Sequence, residues 1–166
     1  MRWSPRALAA VAVGVASAAA VSCSSRASGG PLLTWDQMNA EYRTTVASFP
    51  FSLPAGVEFP AAAPKPSTDQ QSLYEPGAGA MQAYIYAQCA QEHVALQTQT
   101  SDPRASAAAL DAIEEIDNSP VYQQHYVDPD GVWKAILGKA RLGDYSTLQE
   151  WYTNDCTGGW ADGTTG

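Results

Sequence analysis

The stretch Gly77–Gln99, GAGAMQAYIYAQCAQEHVALQTQ, decides how the chain folds. It contains no proline and is rich in alanine and glutamine, both good helix formers. Met81, Ile85, Cys89 and Leu96 recur at i, i+4, i+8 and i+15, with Tyr84 beside them, which places them near one face of a helix. Glu75-Pro76-Gly77 is a turn signal before it, and Asp102-Pro103 opens the next element after it. The spacing predicts a long central helix around which the remaining elements pack.

Working outward, Thr34-Trp35-Asp36-Gln37 has the form of a capping box, with Thr34 as N-cap and Gln37 three residues on. Leu33 and Met38 supply a hydrophobic staple. Trp35, Met38, Tyr42, Val46 and Phe49 then repeat at helical spacing until Phe49-Pro50 stops the helix. Phe51 to Pro66 carries Pro54, Pro60, Pro64 and Pro66 and reads as extended, its first half packed on the helices through Phe51, Leu53, Val57 and Phe59. Ala61 to Ser72 is more polar and reads as a mobile surface loop.

Beyond the central helix, Asp102 caps a helix with Pro103 at its first position, and Leu110, Ile113 and Ile116 mark its buried face. Ser119-Pro120 opens a short helical piece to Tyr126. Asp128-Pro129-Asp130 starts another helix, with Val132, Trp133, Ile136, Leu137 and Ala140 facing inward and Lys139 and Arg141 suiting its C-terminal dipole. Gly143 fits the position just past its end. A last helix, capped by Asp144 or Ser146, holds Leu148, Trp151 and Tyr152 and runs to about Asp155. No stretch alternates as a strand. The fold class expected is all-α, a compact bundle of about five helices over residues 32–156 with one Pro-rich extended segment.

The N-terminus has the layout of an export signal over residues 1–22. Arg2 and Arg6 form a basic region, Ala7 to Val21 is an unbroken run of small or apolar residues, and small residues lead to Cys23. The run falls short of the roughly 20 apolar residues that a membrane span needs. Ala20-Val21-Ser22-Cys23 resembles the lipobox of bacterial lipoproteins, with Ala20 where leucine is usual. That resemblance implies cleavage before Cys23, a lipidated Cys23 at the mature N-terminus, and anchoring at the outer face of the cytoplasmic membrane by two acyl chains. Two other readings stand beside it. Ala18-Ala19-Ala20 also suits ordinary signal cleavage and a soluble secreted protein, and the segment could stay uncut as a weak anchor. Residues 23–31 are Ser/Gly-rich and read as a flexible tether, and residues 157–166 as a disordered tail.

Cysteine counting follows from export. The chain has three cysteines; a lipid on Cys23 leaves Cys89 and Cys156, an even number for an oxidising compartment, and predicts a Cys89–Cys156 disulfide. The alternative is two buried free thiols. The formal charge is −8, and loss of Arg2 and Arg6 with the signal leaves −10. Such acidity argues against nucleic acid or an anionic lipid surface as a partner.

No catalytic or metal site is expected, nor any cofactor. Glu92-His93 is not the H-E-x-x-H arrangement, and a metal would need His93 or His125 joined by carboxylates such as Asp128 or Asp130. Asp128-Pro129-Asp130-Gly131 lacks the further ligands of a calcium loop, and helix capping accounts for it. There is no G-x-S-x-G or S-x-x-K motif, and a glycoside hydrolase would need a carboxylate pair, for example Glu75 with Glu92, which nothing in the sequence marks out. Tyr84, Tyr86, Tyr122 and Tyr126, with Trp133 and Trp151, read as core or as the lining of a ligand groove.

The tryptophan helix, Phe49 to Pro60, Tyr74 to Gly79, the mid-helix Cys89 and the late Asp155-Cys156 together resemble small, uncharacterised exported proteins of actinobacteria. The resemblance implies an envelope location and a helical fold and carries no functional residue. The function expected is a non-enzymatic, membrane-anchored envelope lipoprotein that contacts another envelope protein. A small-molecule-binding transporter accessory is the alternative, and an envelope hydrolase the third reading.

Overall fold

The computed structural model describes residues 30–65 and 72–157. The signal segment, residues 23–29 of the tether including Cys23, and residues 158–166 of the tail lie outside them. Six helices follow in order: α1 (Trp35–Ala47), α2 (Ala78–Thr98), α3 (Pro103–Asp117), α4 (Pro120–His125), α5 (Val132–Arg141) and α6 (Ser146–Asp155). The described residues hold no strand, only an isolated antiparallel bridge between Leu33 and Tyr74 that ties the entry of α1 to the entry of α2. The fold is all-α, as expected, with the short α4 raising the count to six.

The helix starts follow their caps. Thr34 Oγ1 accepts from the Gln37 N–H at 3.4 Å, and Gln37 Oε1 accepts from the Thr34 N–H at 2.9 Å, a complete capping box. Asp102 accepts from the N–H groups of Arg104 and Ala105, and Ser119 from that of Tyr122. Asp128 serves α5 from three residues outside its N-cap Gly131, its carboxylate accepting from Val132, Trp133 and Lys134. Gly143, at φ +92°, closes the α5 end in the left-handed conformation that glycine adopts without strain.

α2 is central, but not through an amphipathic stripe. Twelve of its 21 residues are buried, and they fall all around the helix. Ile85, expected inside, is 36% exposed, whereas Tyr84, Tyr86, Gln88, Gln91 and Glu92 are buried. A helix enclosed by neighbours on most sides has no single apolar face, so a one-stripe reading misplaces residues such as Ile85. α1 crosses α2 at Gly79, where an added Cβ would run into the Met38 carbonyl and the Tyr42 N–H. The carboxylate of Glu41, on α1, reaches across to accept from the N–H groups of Gly77 and Gly79 and so caps α2 from another helix.

The Pro-rich segment is extended, as expected, and is bound to the helices by side chains. Its carbonyls at Ser52, Glu58, Pro60 and Pro64 accept from Gln91, Tyr86, Tyr42 and Trp35 respectively, and the Ala63 N–H donates to Asn39. The polar reading of Ala61 onward is corrected over its described part: Ala63 is 4% exposed and packs with Met38, Tyr42 and Ala83.

Cys89 and Cys156 form the expected disulfide, joining mid-α2 to the end of α6 across 67 residues. Around it pack Leu96, Leu110, Ile113, Trp133, Ile136, Leu137, Leu148 and Tyr152. Closing a loop of 67 residues is worth on the order of 4 kcal/mol in the chain-entropy description. Cys156→Ser should therefore lower the urea unfolding free energy by about that amount, and a reducing agent should destabilise the native protein but leave the variant unchanged.

Candidate functional site

α3 ends at Asp117, Asn118 caps it, and Pro120 forces a new direction into α4. The chain then turns through Tyr126 to Gly131 before α5 begins. This corner leaves a cleft of about 560 Å³ between the end of α3, α4 and the start of α5, a size that suits a small ligand. Glu114, Asp117, Tyr122, Tyr126, Asp128 and Trp133 line it, with Lys134 also on its wall.

The aromatic walls are ordered by ring packing. Tyr122 and Tyr126 lie 5.1 Å apart, and Trp133 packs on Trp151 at 5.3 Å. The Trp133 indole N–H donates to Asp117 Oδ2 at 2.6 Å, fixing that carboxyl against the α5 wall. Asp117 Oδ1 is buried and has no hydrogen-bond partner. Burial, opposed by the indole bond and aided by the charges of Glu114 and Asp128, pushes the Asp117 carboxyl up to about 6. The same environment pushes the Tyr122 hydroxyl well above its ordinary range, through burial first and the Asp117 charge second.

The four tyrosines read from sequence as a groove divide in two. Tyr122 and Tyr126 do line the cleft. Tyr84 and Tyr86 do not: Tyr84 packs edge-on against Phe49 and Phe51, and Tyr86 lies against Phe59 with its hydroxyl on the Glu58 carbonyl. Both are core residues that hold the Pro-rich segment. Asp117 is not among the candidate residues of the sequence. The signal that could have found it is its position at the helix end, directly before a capping turn and sixteen residues from Trp133.

The other candidates separate. His93 is exposed with Nδ1 at 3.1 Å from the Tyr152 hydroxyl, whereas the His125 ring fills the space beside Gly77. Gly77 and His93 are about 24 Å apart along α2 at the usual helical rise. Glu75 precedes α2 and is exposed, while Glu92 is fully buried far along it, so the two do not face one another across a cleft. The Asp128 carboxylate is occupied by three backbone donors, which leaves little for a metal.

Glu92 is the second unusual group. Its Oε1 accepts from Gln88 Nε2 at 3.1 Å, and its Oε2 lies 3.8 Å from the Cys156 sulfur. Cys89, Glu92 and Cys156 offer ligand atoms within 4.8 Å of one another, but both sulfurs are spent in the bridge. Burial pushes the Glu92 carboxyl up to about 8, against the Gln88 hydrogen bond and with the charges of Asp117 and Asp155 adding to the rise. A neutral carboxyl matches what surrounds it: one oxygen accepts, and the other can carry the proton toward sulfur.

Among the described residues no helix is long and apolar enough to cross a membrane. Comparison with protein-family models, curated proteins and solved structures returned no match to this chain.

The Glu92 environment sets a pH dependence. Its folded value is raised above its unfolded one, so the native state binds the extra proton. Stability is then full below about 4.5 and is lost as pH rises toward about 8. Glu92→Gln, which keeps the shape and both hydrogen-bonding roles, should raise stability at pH 8 by roughly 4 kcal/mol, at about 1.4 kcal/mol per pKa unit over the rise from 4.5 to about 8. It should also flatten the dependence of the thermal midpoint between pH 5 and 8; an unchanged slope would contradict a protonated Glu92.

Proposed function

We propose that the protein is a non-enzymatic, lipid-anchored envelope protein whose helical domain binds a small ligand in the α3–α4–α5 cleft. The observation that carries this reading is the cleft itself. Aromatic walls close on a carboxyl with one oxygen satisfied and one without a partner. Ligand sites are concave hollows in which a few polar groups fix the ligand's orientation, and this one sets Asp117 beside three aromatic side chains in a lining that is polar and apolar in about equal parts. A second, more open hollow lies between residues 50–55 and α3, but its lining is mostly apolar, with Glu115 as its only charged side chain.

The non-enzymatic part rests on the scattering of the histidines and on the structural occupation of most carboxylates near the cleft. Glu114 pairs with Arg141 at 3.0 Å, and Asp128 caps α5. The anchor rests on the resemblance of Ala20-Val21-Ser22-Cys23 to a lipobox and on the Ser/Gly-rich tether that follows. A protein neighbour in the envelope is the second reading, favoured by Val127, Val132 and Leu142, which are exposed before, at the start of and just after α5.

Two measurements test these parts separately. Intact mass of the membrane-extracted protein should show a diacylated Cys23 as the first residue, and Cys23→Ala should move the protein out of the membrane fraction. A chain beginning at Val21 would replace the anchor with ordinary secretion. Screening the folded protein against a chemically diverse library by ligand-observed NMR should return binders that compete with one another and whose line broadening is lost when Tyr126 is replaced by alanine. A library without a single binder at the cleft would end the small-ligand reading and leave crosslinking in native membranes to seek the protein neighbour.

A further inference from the structure

We propose that the cleft between α3, α4 and α5 takes a small organic ammonium ion, its N–H group directed to Asp117 and its carbon skeleton packed against Tyr122, Tyr126 and Trp133. The proposal rests on the reading of the cleft as a binding site and names the class of ligand that the site selects.

Charge accounting comes first. Three carboxylates and one lysine surround the cleft. Glu114 is held by the Arg141 guanidinium at both oxygens, and Arg141 also pairs with Asp111 at 2.8 Å. Asp128 is satisfied by the first N–H groups of α5. Lys134 is exposed on α5. Asp117 alone has neither a cation nor a full set of donors: it has one neutral donor at Oδ2 and none at Oδ1. A desolvated carboxylate in that condition favours a bound cation or a proton, and its raised pKa is the same imbalance expressed as proton affinity.

The alternatives fit less well. An anion would meet uncompensated negative charge. A neutral molecule could supply a hydrogen bond but would not offset the charge. A hard divalent ion wants six or more oxygen ligands, and here the Glu114 and Asp128 oxygens are already bonded within the protein. An ammonium group supplies both the missing donor and the charge. Tyr126, half-buried on the cleft wall, adds cation–π attraction. The cleft, at about 560 Å³, has room for an organic cation rather than a bare ion. The chain's charge of −8 attracts cations from a distance.

The test uses the folded protein with its disulfide intact, titrated with n-butylammonium, putrescine and tetramethylammonium at pH 7.5. n-Butanol and butyrate serve as neutral and anionic controls. Trp133 fluorescence and calorimetry report binding. At least one ammonium should bind, both controls should fail, and Asp117→Asn should weaken binding at least tenfold. Affinity should rise with pH through about 6, where Asp117 ionises. The other facing groups, Glu114, Asp128, Tyr122, Tyr126 and Lys134, remain in Asp117→Asn, so loss of that rise in the variant assigns it to Asp117. Tyr126→Leu, on the cleft wall, gives an independent loss of affinity should Asp117→Asn fail to fold. Vesicles of phosphatidylethanolamine set against phosphatidylglycerol separate a lipid headgroup from a free amine as the source. Binding of a control in place of every ammonium would overturn the cation class and leave the cleft as a site. Absence of any binder in this set and in the diverse library would overturn both.

Discussion

Enclosing α2 on most of its surface is the constraint from which the other features follow. A helix surrounded this way cannot present large side chains in every direction, because each neighbour needs room to approach. The sequence answers with small residues at the closest crossings. Gly79 admits α1 to within backbone contact, and Ala83, Ala87, Ala90 and Ala95 are all buried along the helix. Alanine also keeps helix propensity high where a glycine-rich surface would lose it. The larger residues then point two ways, Tyr84 toward the aromatic Pro-rich segment and Tyr86, Cys89 and Leu96 into the cluster around the disulfide, while Ala83 meets the α1 cluster, and Phe59 touches all three.

The Pro-rich segment covers part of α2 without being a helix or a strand. Proline removes backbone donors, so such a segment offers carbonyls in excess of N–H groups. The helices meet that excess with side-chain donors: Trp35 and Tyr42 from α1, and Tyr86 and Gln91 from α2. This explains why tyrosine hydroxyls that could have served a ligand are fully committed to structure. It also explains a buried Gln91, which on a free surface would have no reason to be covered.

Much of this was legible in the sequence because caps are local. Thr34, Asp102, Ser119 and Gly143 act through bonds to residues within a turn, so their meaning survives without knowledge of the fold. The disulfide was legible by counting, given export. What was not legible was which side of α2 would be covered, since Ile85 and Glu92 exchange the places that hydrophobicity alone assigns them. Glu92 can be buried only because Gln88 and the bridge sulfur sit beside it, and the sulfur comes from a residue 64 positions away. The cleft was half legible for the same reason. Tyr122 and Tyr126 are neighbours along one short helix and its end, while Asp117 gains its character from Trp133, delivered by a different helix.

Asp117 and Glu92 also differ in a way that bears on function. Both are carboxyls raised by burial, but their surroundings have different stoichiometry. Around Glu92 one acceptor position and one proton-bearing position are both matched, so the neutral acid is complete and no vacancy remains. Around Asp117 the indole matches only one oxygen. Asp128, which lines the same cleft, is an acceptor directed at the α5 backbone. An unmet acceptor costs a folded protein on the order of 1–3 kcal/mol. It persists here on a carboxyl that lines an aromatic-walled hollow, and not in the core around the disulfide, where Glu92 is matched.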